Sequence, residues 1–150
     1  MTVTIRQATI DDLMALTPLF DSYRQFYDQP SDLDLARRFL RDRFAHAESI
    51  IFIAQGDDGG ALGFTQLYPS FSSTRAARIY VLNDLYVAPV GRRRGVGAGL
   101  MAAAAAYGRA VGAVSLGLST ATTNLTAQSL YAAQGWTREA SFFDYELALT

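Results

Sequence analysis

Hydrophobic and polar residues alternate at the start of the chain and then recur at helical spacing. Residues 2–8 alternate between apolar Val3 and Ile5 and their polar neighbours, which predicts a half-buried first strand. Thr9 is followed by two acidic residues, a pattern typical of a helix cap, and the helix is expected to run to about Tyr27. Its apolar face comprises Leu13, Leu16, Leu19, Phe20 and Tyr23.

A second helix is predicted after a break at Gln29 and Pro30. Ser31 is followed three residues later by Asp34, which repeats the capping pattern and predicts that Ser31 caps this helix. The apolar residues at helical spacing that follow are Leu35, Phe39, Leu40 and Phe44.

The middle of the chain has the pattern of strands. Apolar, β-branched runs at 49–55 and 63–68 flank the acidic and glycine-rich residues 57–60, which predicts a hairpin. A polar turn is expected at 70–74. Residues 77–87 predict a long central strand, because hydrophobic residues fall on both of its faces. The remaining predicted elements are a helix over 95–110, a strand over 113–118, a helix over 125–133 and a final strand over 142–149.

The order of these elements, βααβββαβαβ, predicts an α/β fold. No internal repeat, low-complexity tract or linker interrupts the chain, so we expect one domain over residues 1–150. A chain of 150 residues that is 50% hydrophobic is long and apolar enough to bury a core.

Charge and composition exclude several classes of function. The chain has 13 basic and 14 acidic residues, so bulk binding of nucleic acid is not expected. It has no cysteine, which excludes thiolate metal sites and cysteine nucleophiles, and its single histidine, His46, excludes mechanisms that need two imidazoles. We expect no bound metal. The sequence has neither a bilayer-spanning apolar stretch nor the apolar core of a secretion signal, which predicts a cytoplasmic protein without membrane association.

The most informative stretch connects the strand over 77–87 to an alanine-rich helix. A proline ends the strand, arginines fill the turn and glycines open the helix, so free backbone N–H groups point out of the helix end. Glycine lets a phosphate approach the backbone, and arginine adds charge-assisted donors. Arg93 and Arg94 equally fit a run of solvated surface charges. The predicted phosphate or pyrophosphate site comprises Arg92, Arg93, Arg94, Gly95, Val96, Gly97, Ala98 and Gly99.

Three kinds of phosphate loop begin with a similar pattern. A Walker loop requires lysine, which the chain lacks. A dinucleotide fingerprint requires a third glycine where Leu100 stands, so that interpretation is disfavoured. The pattern [QR]xxGx[GA] is matched by Arg92, Gly95 and Gly97.

That last pattern resembles the acetyl-CoA pyrophosphate loop of the GNAT superfamily of N-acetyltransferases. A second stretch, NLTAQSLYAAQGW over 124–136, resembles the later NxxAxxLYxxxGF element of the same superfamily, with Trp136 as the final aromatic residue. Residues 65–73 and 82–87 resemble the subgroup that contains the yeast histone and D-amino-acid acetyltransferases. The resemblance implies a GNAT-like mixed, mostly antiparallel sheet flanked by helices.

The resemblance also implies roles for residues that would bind acetyl-CoA as co-substrate. The backbone of Leu85, Tyr86 and Val87 would pair with the pantetheine arm and hold the acetyl carbonyl. Asn124 would reach the pantetheine while capping its helix, and capping alone explains an asparagine there. Tyr131 would be the general acid that protonates the departing CoA thiolate, because an ordinary phenol, with a pKa of about 10, is protonated at neutral pH. A core tyrosine is the alternative.

A proton acceptor is also needed, because an alkylamine with a pKa of about 10.4 is almost fully protonated at neutral pH. Asp84, which directly precedes the pantetheine strand, is the best-placed carboxylate. It would act as a base, directly or through water. The alternatives are that it anchors the substrate ammonium group without a proton role, or that it is a strand-bulge residue. The resemblance places the wall of the acceptor site at Tyr23, Tyr27, Asp28, Tyr68 and Phe71. The same residues equally fit core and surface positions.

These features predict an enzyme that moves an acetyl group from acetyl-CoA to a primary amine of a small molecule, an amino acid or a polyamine. Without cysteine the transfer is expected by direct attack in a ternary complex. The alternatives are a non-catalytic acyl-CoA sensor, a protein or histone lysine acetyltransferase, and a dinucleotide-dependent oxidoreductase. We also expect a homodimer, because the subgroup pairs through sheet edges and the final strand carries Phe142, Phe143 and Tyr145.

Overall fold

A five-stranded sheet organises the chain in our computed structural model, which describes residues 2–150. The strands are β1 (Thr4–Gln7), β2 (Ile50–Gln55), β3 (Ala61–Ser72), β4 (Ala77–Val87) and β5 (Leu116–Gly117). The α-helices are α1 (Leu13–Phe26), α2 (Leu33–Ala45), α3 (Val96–Ala110) and α4 (Leu125–Ala133). None of these helices has the length and apolarity needed to cross a membrane.

The sheet has the order β1-β2-β3-β4-β5. Its first four strands pair antiparallel with their neighbours, and only β5 pairs parallel, through Tyr80 with Leu116 and Val81 with Gly117. The crossover between these two parallel strands contains α3. The mixed, mostly antiparallel sheet expected from the sequence is confirmed.

Helices cover both faces of the sheet. Alternation along β2 sends Ile51 and Ile53 into a buried cluster with Leu16 of α1 and Leu40 of α2. Phe52, between them, points to the opposite face, where its ring packs on Tyr107 of α3 at a centroid distance of 5.9 Å. The core therefore lies in two layers, with α1 and α2 against one face and α3 against the other.

The chain divides into a larger unit that ends at Ser119 and a smaller unit, Thr120–Thr150. The larger unit contains all five strands and the helices α1, α2 and α3. The smaller unit contains α4, and none of its residues is buried. The single domain expected over residues 1–150 stays a prediction.

The connection between α1 and α2 corrects one cap prediction. Asp32, not Ser31, caps α2, and its carboxylate accepts a hydrogen bond from the Leu35 amide at 3.0 Å. The Ser31 hydroxyl donates instead to Asp21 Oδ2 of α1 at 2.7 Å, and the Asp32 amide donates to Asp21 Oδ1 at 2.8 Å. The buried carboxylate of Asp21 therefore fixes the chain that enters α2 onto α1.

The first helical cap is confirmed. Thr9 and Asp12 form a reciprocal capping box over a short 3-10 turn, Ile10–Asp12, that leads into α1. The carboxylate of Asp12 also pairs with Arg6 of β1 at 2.7 Å. These contacts fix the start of α1 at the end of β1.

The strands β3 and β5 differ most in extent from those expected. The strand β3 runs on to Ser72 and pairs with β4 as far as Ala77, so the turn falls at 73–76 rather than at 70–74. The polar residues of this extension resemble a turn locally, but the long partner strand satisfies their backbone groups. In contrast, β5 pairs at only two positions.

The prediction of a final strand over 142–149 is wrong. Residues 137–150 form no helix or strand, and their large apolar side chains are exposed, for example Phe143 at 90% and Tyr145 at 94%. The alternating pattern is present in the sequence. A strand also needs a neighbour that completes its backbone hydrogen bonds, and alternation alone does not supply one.

Candidate active site

The start of α3 presents backbone N–H groups that have no partner within the helix. Gly95 precedes the helix, and the first helical bond runs from the Gly99 amide to the Gly95 carbonyl at 2.9 Å. The amides of Val96, Gly97 and Ala98 come before that bond and have no partner within the helix. Gly99, which the sequence analysis grouped with the free amides, uses its N–H inside the helix.

Gly95 and Gly99 differ in what an added side chain would meet. Gly95 has φ +72°, in the left-handed region that favours glycine, and an added Cβ there would have no heavy atom within 4 Å. At Gly99 an added Cβ would lie 2.5 Å from Ile5 Cδ1. The first glycine therefore leaves an open approach to the amides, and the second allows α3 to pack closely on β1.

Arg92, Arg93 and Arg94 are all exposed in the turn before α3. Arg92 Nε donates to the Val87 carbonyl at 3.3 Å, which connects the turn to the end of β4. Arg93 has φ +63°, so the turn contains a second left-handed residue close to Gly95. Three cations beside a helix N-terminus favour an anionic ligand.

The second half of β4 has one edge without a strand neighbour. The Ala88 amide donates to the Leu62 carbonyl at 2.8 Å, so by alternation Tyr86 also bonds towards β3. The backbone groups of Leu85 and Val87 then point to the opposite edge. Among the described strands only β5 lies there, and it pairs only with the first half of β4. This edge is open to a ligand that offers amide groups.

Asp84 lies on β4 just before this open edge and is 1% exposed. Its carboxylate accepts hydrogen bonds from Gln66 Nε2 at 2.5 Å and from Asn83 Nδ2 at 2.8 Å. Burial raises the pKa of Asp84, and the hydrogen bonds from Asn83 and Gln66 offset only part of that effect. Because the charged form is disfavoured, Asp84 accepts a proton more readily than an exposed aspartate does.

Two half-buried phenols, Tyr23 of α1 and Tyr68 of β3, surround this carboxylate. Burial, and then the charge of Asp84, raise the pKa of both phenols. Each therefore stays neutral across the physiological range and serves as a hydrogen-bond donor. Tyr23 Oη also donates to the Asn83 carbonyl at 3.1 Å, which holds its ring against β4.

The other residues predicted for the acceptor wall are less closely associated with this group. The Tyr27 ring lies 5.1 Å from the Tyr23 ring and is exposed. Asp28 is exposed, with φ +63°. Phe71 packs against Arg78, whose guanidinium carbon lies 4.1 Å from the centroid of the Phe71 ring. The structure thus brings together Tyr23, Tyr68 and Asp84, with Tyr27 beside them.

In the smaller unit, Asn124 and Tyr131 lie on α4. Asn124 is the N-cap, and its Oδ1 accepts a hydrogen bond from the Ala127 amide at 3.1 Å. Tyr131 is partly exposed, with its ring 6.3 Å from Trp136. The Trp136 amide donates to the Tyr131 carbonyl at 3.0 Å, after a left-handed turn at Gly135. Capping by Asn124 is confirmed, and its predicted contact with pantetheine stays a prediction.

Comparison with known proteins decides the family. The model of the acetyltransferase (GNAT) family matches residues 13–136, which is most of the chain. The chain belongs to the GNAT family. GNAT acetyltransferases use acetyl-CoA, and this chain is an N-acetyltransferase of that family. The expectation of an acetyl-CoA-dependent N-acetyltransferase is confirmed, while the class of its acceptor stays a prediction.

Two relatives of this GNAT protein span nearly its whole length, and a third covers about two thirds of it. An uncharacterized N-acetyltransferase of Bacillus subtilis (strain 168), YhfO, is 46% identical over 143 residues, 95% of each chain. The crystal structure of a probable acetyltransferase matches with a TM-score of 0.93 and 40% identity, over 98% of each chain. An aminoglycoside N(6')-acetyltransferase type 1 of Klebsiella aerogenes is 34% identical over 104 residues, 68% of each chain.

Sequence reasoning missed two side chains of this GNAT site, Gln66 and Asn83. Both donate to the carboxylate of Asp84. Gln66 is fully buried on β3, and it stands in the middle of an otherwise mostly apolar run. A polar residue at such a position needs a buried partner, which was the available signal. Asn83 had no comparable signal, because a polar residue next to Asp84 on a strand does not by itself indicate that the two side chains bond.

Proposed function

We propose that this acetyltransferase moves the acetyl group of acetyl-CoA to a primary amine of a small molecule, an amino acid or a polyamine, by direct attack in a ternary complex. The observation that carries the proposal is the buried carboxylate of Asp84, surrounded by two phenols and placed immediately before the open edge of β4. An acceptor amine needs such a group, because it must lose a proton to become a nucleophile. The name of the Klebsiella aerogenes relative supports a small-molecule acceptor.

The residues present fit the two polar parts of the co-substrate. The three free amides of Val96, Gly97 and Ala98, with the arginines before them, match the charge of a diphosphate. Gly95 leaves that approach free of a Cβ. The outward backbone groups of Leu85 and the amide of Val87 would pair with the amides of the pantetheine arm, while the Val87 carbonyl bonds to Arg92. Bound acetyl-CoA would supply a thioester whose carbonyl carbon is the electrophile.

The proton from the amine is proposed to reach Asp84. Because this carboxylate is almost completely buried, the proton is relayed through a water or through a phenol, Tyr23 or Tyr68, rather than passed directly. The nitrogen lone pair attacks the acetyl carbonyl, the carbon–sulfur bond breaks, and the amine proton passes towards Asp84. Tyr131, in the motif of α4, is proposed to donate a proton to the thiolate that leaves.

Narrower assignments also stay proposals. The stretches at 65–73 and 82–87 support membership of the subgroup that contains the yeast histone and D-amino-acid acetyltransferases. A cytoplasmic location stays a prediction from the N-terminal sequence. The roles of Tyr27, Asp28 and Phe71 in the acceptor wall also stay predictions.

We further propose that the protein is a homodimer that associates through residues 142–149. The exposed apolar residues of this segment are Phe142, Phe143, Tyr145, Leu147 and Leu149. Three aromatic side chains bury about 450–750 Å² when covered, which approaches the roughly 800 Å² per partner of a standard interface. A second copy would also provide the strand neighbour that this alternating segment lacks.

A screen for thiol release tests the function. The protein is incubated with acetyl-CoA and separate amines, namely amino acids, polyamines, an aminoglycoside and a lysine-containing peptide, and the products are identified by mass. Release of CoA with acetylation of a small amine is the expected result. Release only with the peptide would favour a protein lysine acetyltransferase. Binding of acetyl-CoA without release over the whole panel would favour a sensor, and binding of NADH in place of CoA would overturn the donor assignment.

A further inference from the structure

A cleft of about 440 Å³ opens in the larger unit where the end of α2 meets β3. It is lined by Arg43, Ala47, Glu48, Tyr68 and Pro69. Tyr68 is also one of the two phenols beside Asp84, and it lies within the electrostatic influence of both Asp84 and Arg43. One wall of the cleft is therefore shared with the proposed proton-accepting group.

Arg43 is held in this cleft with hydrogen-bonding capacity left over. Its guanidinium carbon lies 4.3 Å from the centroid of the Phe39 ring, and its Nη2 pairs with Glu48 Oε1 at 3.2 Å. The side chain is only 24% exposed, and its buried Nε has no hydrogen-bond partner among the described residues. A guanidinium has five N–H donors in a planar fork and keeps its charge at any physiological pH.

The pairing with Glu48 alone does not account for this arrangement. Glu48 is 53% exposed, and an ion pair with so much solvent contact contributes little to stability. The turn between α2 and β2 is also fixed without it, by a hydrogen bond from the Glu48 amide to the Arg43 carbonyl at 3.0 Å. The Glu48 carboxylate can therefore move into solvent when another carboxylate takes its place on the guanidinium.

We infer that Arg43 is the specificity-determining residue of the acceptor site, and that it binds an anionic carboxylate on the molecule whose amine is acetylated. This inference rests on the proposed function and selects an amino acid over a polyamine. The amine lies towards Asp84 and Tyr68, and the carboxylate lies in the cleft on Arg43. The planar fork of the guanidinium matches two carboxylate oxygens.

The first test compares acceptors that differ only in the carboxylate. For each amino acid turned over, kcat and KM are measured beside its carboxamide and its decarboxylated amine. The wild-type enzyme should favour the amino acid. Arg43→Gln should raise KM for the amino acid about 10- to 100-fold, the effect of losing a charged hydrogen bond, and leave KM for the decarboxylated amine unchanged. Arg41→Gln, on the exposed side of α2, is the matched control and should change neither value.

A second variant gives a result that misfolding cannot imitate. Glu48→Gln removes the competing carboxylate and keeps Arg43, so KM for the amino acid should fall while KM for the decarboxylated amine stays the same. The inference is overturned if the wild-type enzyme uses the decarboxylated amine as well as the amino acid, or if Arg43→Gln affects both acceptors equally. An unchanged or higher KM for the amino acid in Glu48→Gln would also overturn it.

A binding measurement separates this inference from the proposed function. In the presence of CoA, the amino acids of the panel are tested for a rise in melting temperature, with the decarboxylated amines as controls. A rise that Arg43→Gln abolishes supports the carboxylate subsite even if no acetyl transfer is found, in which case only the proposed function fails. Equal shifts in wild type and Arg43→Gln, or no shift with any amino acid, would refute the subsite.

Discussion

Gln66 donates a 2.5 Å hydrogen bond from Nε2 to Asp84 Oδ2, across the ladder between β3 and β4. The other amide atom of Gln66, Oε1, is buried and has no partner within residues 2–150. When Asp84 takes up a proton, its carboxyl becomes a donor, and a rotated Gln66 amide offers Oε1 as the acceptor. The same pair thus accommodates both protonation states that a general base passes through.

Replacing the buried carboxylate should remove the base. Asp84→Asn should lower kcat about 10²- to 10⁴-fold, the usual contribution of general base catalysis. Since burial raises the pKa of Asp84, wild-type activity should increase with pH through that raised value as the carboxylate loses its proton, and the variant should lack this acidic limb. Asp42→Asn, on the exposed side of α2, is the control. Retained kcat with a higher KM for the acceptor would instead identify Asp84 as an ammonium anchor.

The helix-end site should require a small residue at Gly97. Acetyl-CoA and CoA should both raise the melting temperature, by an amount equivalent to about 2.7 kcal/mol at a free concentration 100 times the dissociation constant. Gly97→Glu should abolish the shift, because it places a side chain and a negative charge among the free amides. Ala106→Glu adds the same charge at an exposed position of α3 and should retain the shift. A folded Gly97→Glu protein with an unchanged shift would refute this donor site.

Tyr131→Phe should reduce turnover without weakening the binding of acetyl-CoA. The ring and its packing near Trp136 are kept, and only the transferable proton is lost. The loss in kcat should be about 10²- to 10⁴-fold when departure of the thiolate limits the rate. Ser129→Ala, which removes a hydroxyl at an exposed position of α4, provides the control. Steady-state kinetics combined with a melting shift for acetyl-CoA separates the two effects, and wild-type turnover in Tyr131→Phe would remove its assignment as the acid.

Gly63 lies on β3 in close contact with β4, and a larger residue there should destabilise the pairing of these two strands. A Cβ on Gly63 would lie 2.6 Å from the Tyr86 carbonyl oxygen, a backbone atom that moves only with its strand. Gly63→Ala should therefore lower the free energy of unfolding by about 1–3 kcal/mol in urea titrations. Gly117→Ala meets no heavy atom within 4 Å and should change it by less than about 0.5 kcal/mol. Equal stability of the two variants would show that β3 and β4 separate freely at this point.

The C-terminal segment should determine the oligomeric state. Light scattering at micromolar concentration should give the mass of a dimer for the wild type. The double change Phe143→Asp and Leu147→Asp should give a monomer, because two charges would replace apolar contacts across the interface. Met14→Asp changes another exposed apolar residue, outside the segment, and should leave the dimer intact. A wild-type monomer, or a dimer that survives the double change, would contradict this interface.

Sequence patterns predicted the parts of the fold that depend on local chemistry. The capping box at Thr9 and the glycine that opens α3 are properties of a few adjacent residues, and both were found as expected. Asp32 rather than Ser31 caps α2 because the Ser31 hydroxyl donates its hydrogen bond to Asp21, ten residues earlier in the chain. Likewise, β3 continues to Ser72 because β4 is long enough to pair with it. Such outcomes depend on distant partners.

The candidate site divides in the same way. The loop at Arg92 and Gly95 and the acid at Asp84 could be found from order and spacing along the chain. Gln66 is near Asp84 only because two strands pair in one register, and a shift by one residue would send its side chain to the other face. The cleft beside Arg43 depends on how α2 ends against β3, which no local pattern specifies.

The buried carboxylate of Asp21 has a consequence for how this enzyme diversifies. The Asp21 carboxylate holds the turn between α1 and α2 through hydrogen bonds from Ser31 and the Asp32 amide. The residues of this turn, 25–31, are all exposed to solvent. The exposed side chain of Tyr27 can therefore be exchanged at small thermodynamic cost. Asp21 cannot, and Asp28, at φ +63°, tolerates few other residues. The proposed acceptor wall can therefore vary in this turn while the backbone beneath it stays unchanged.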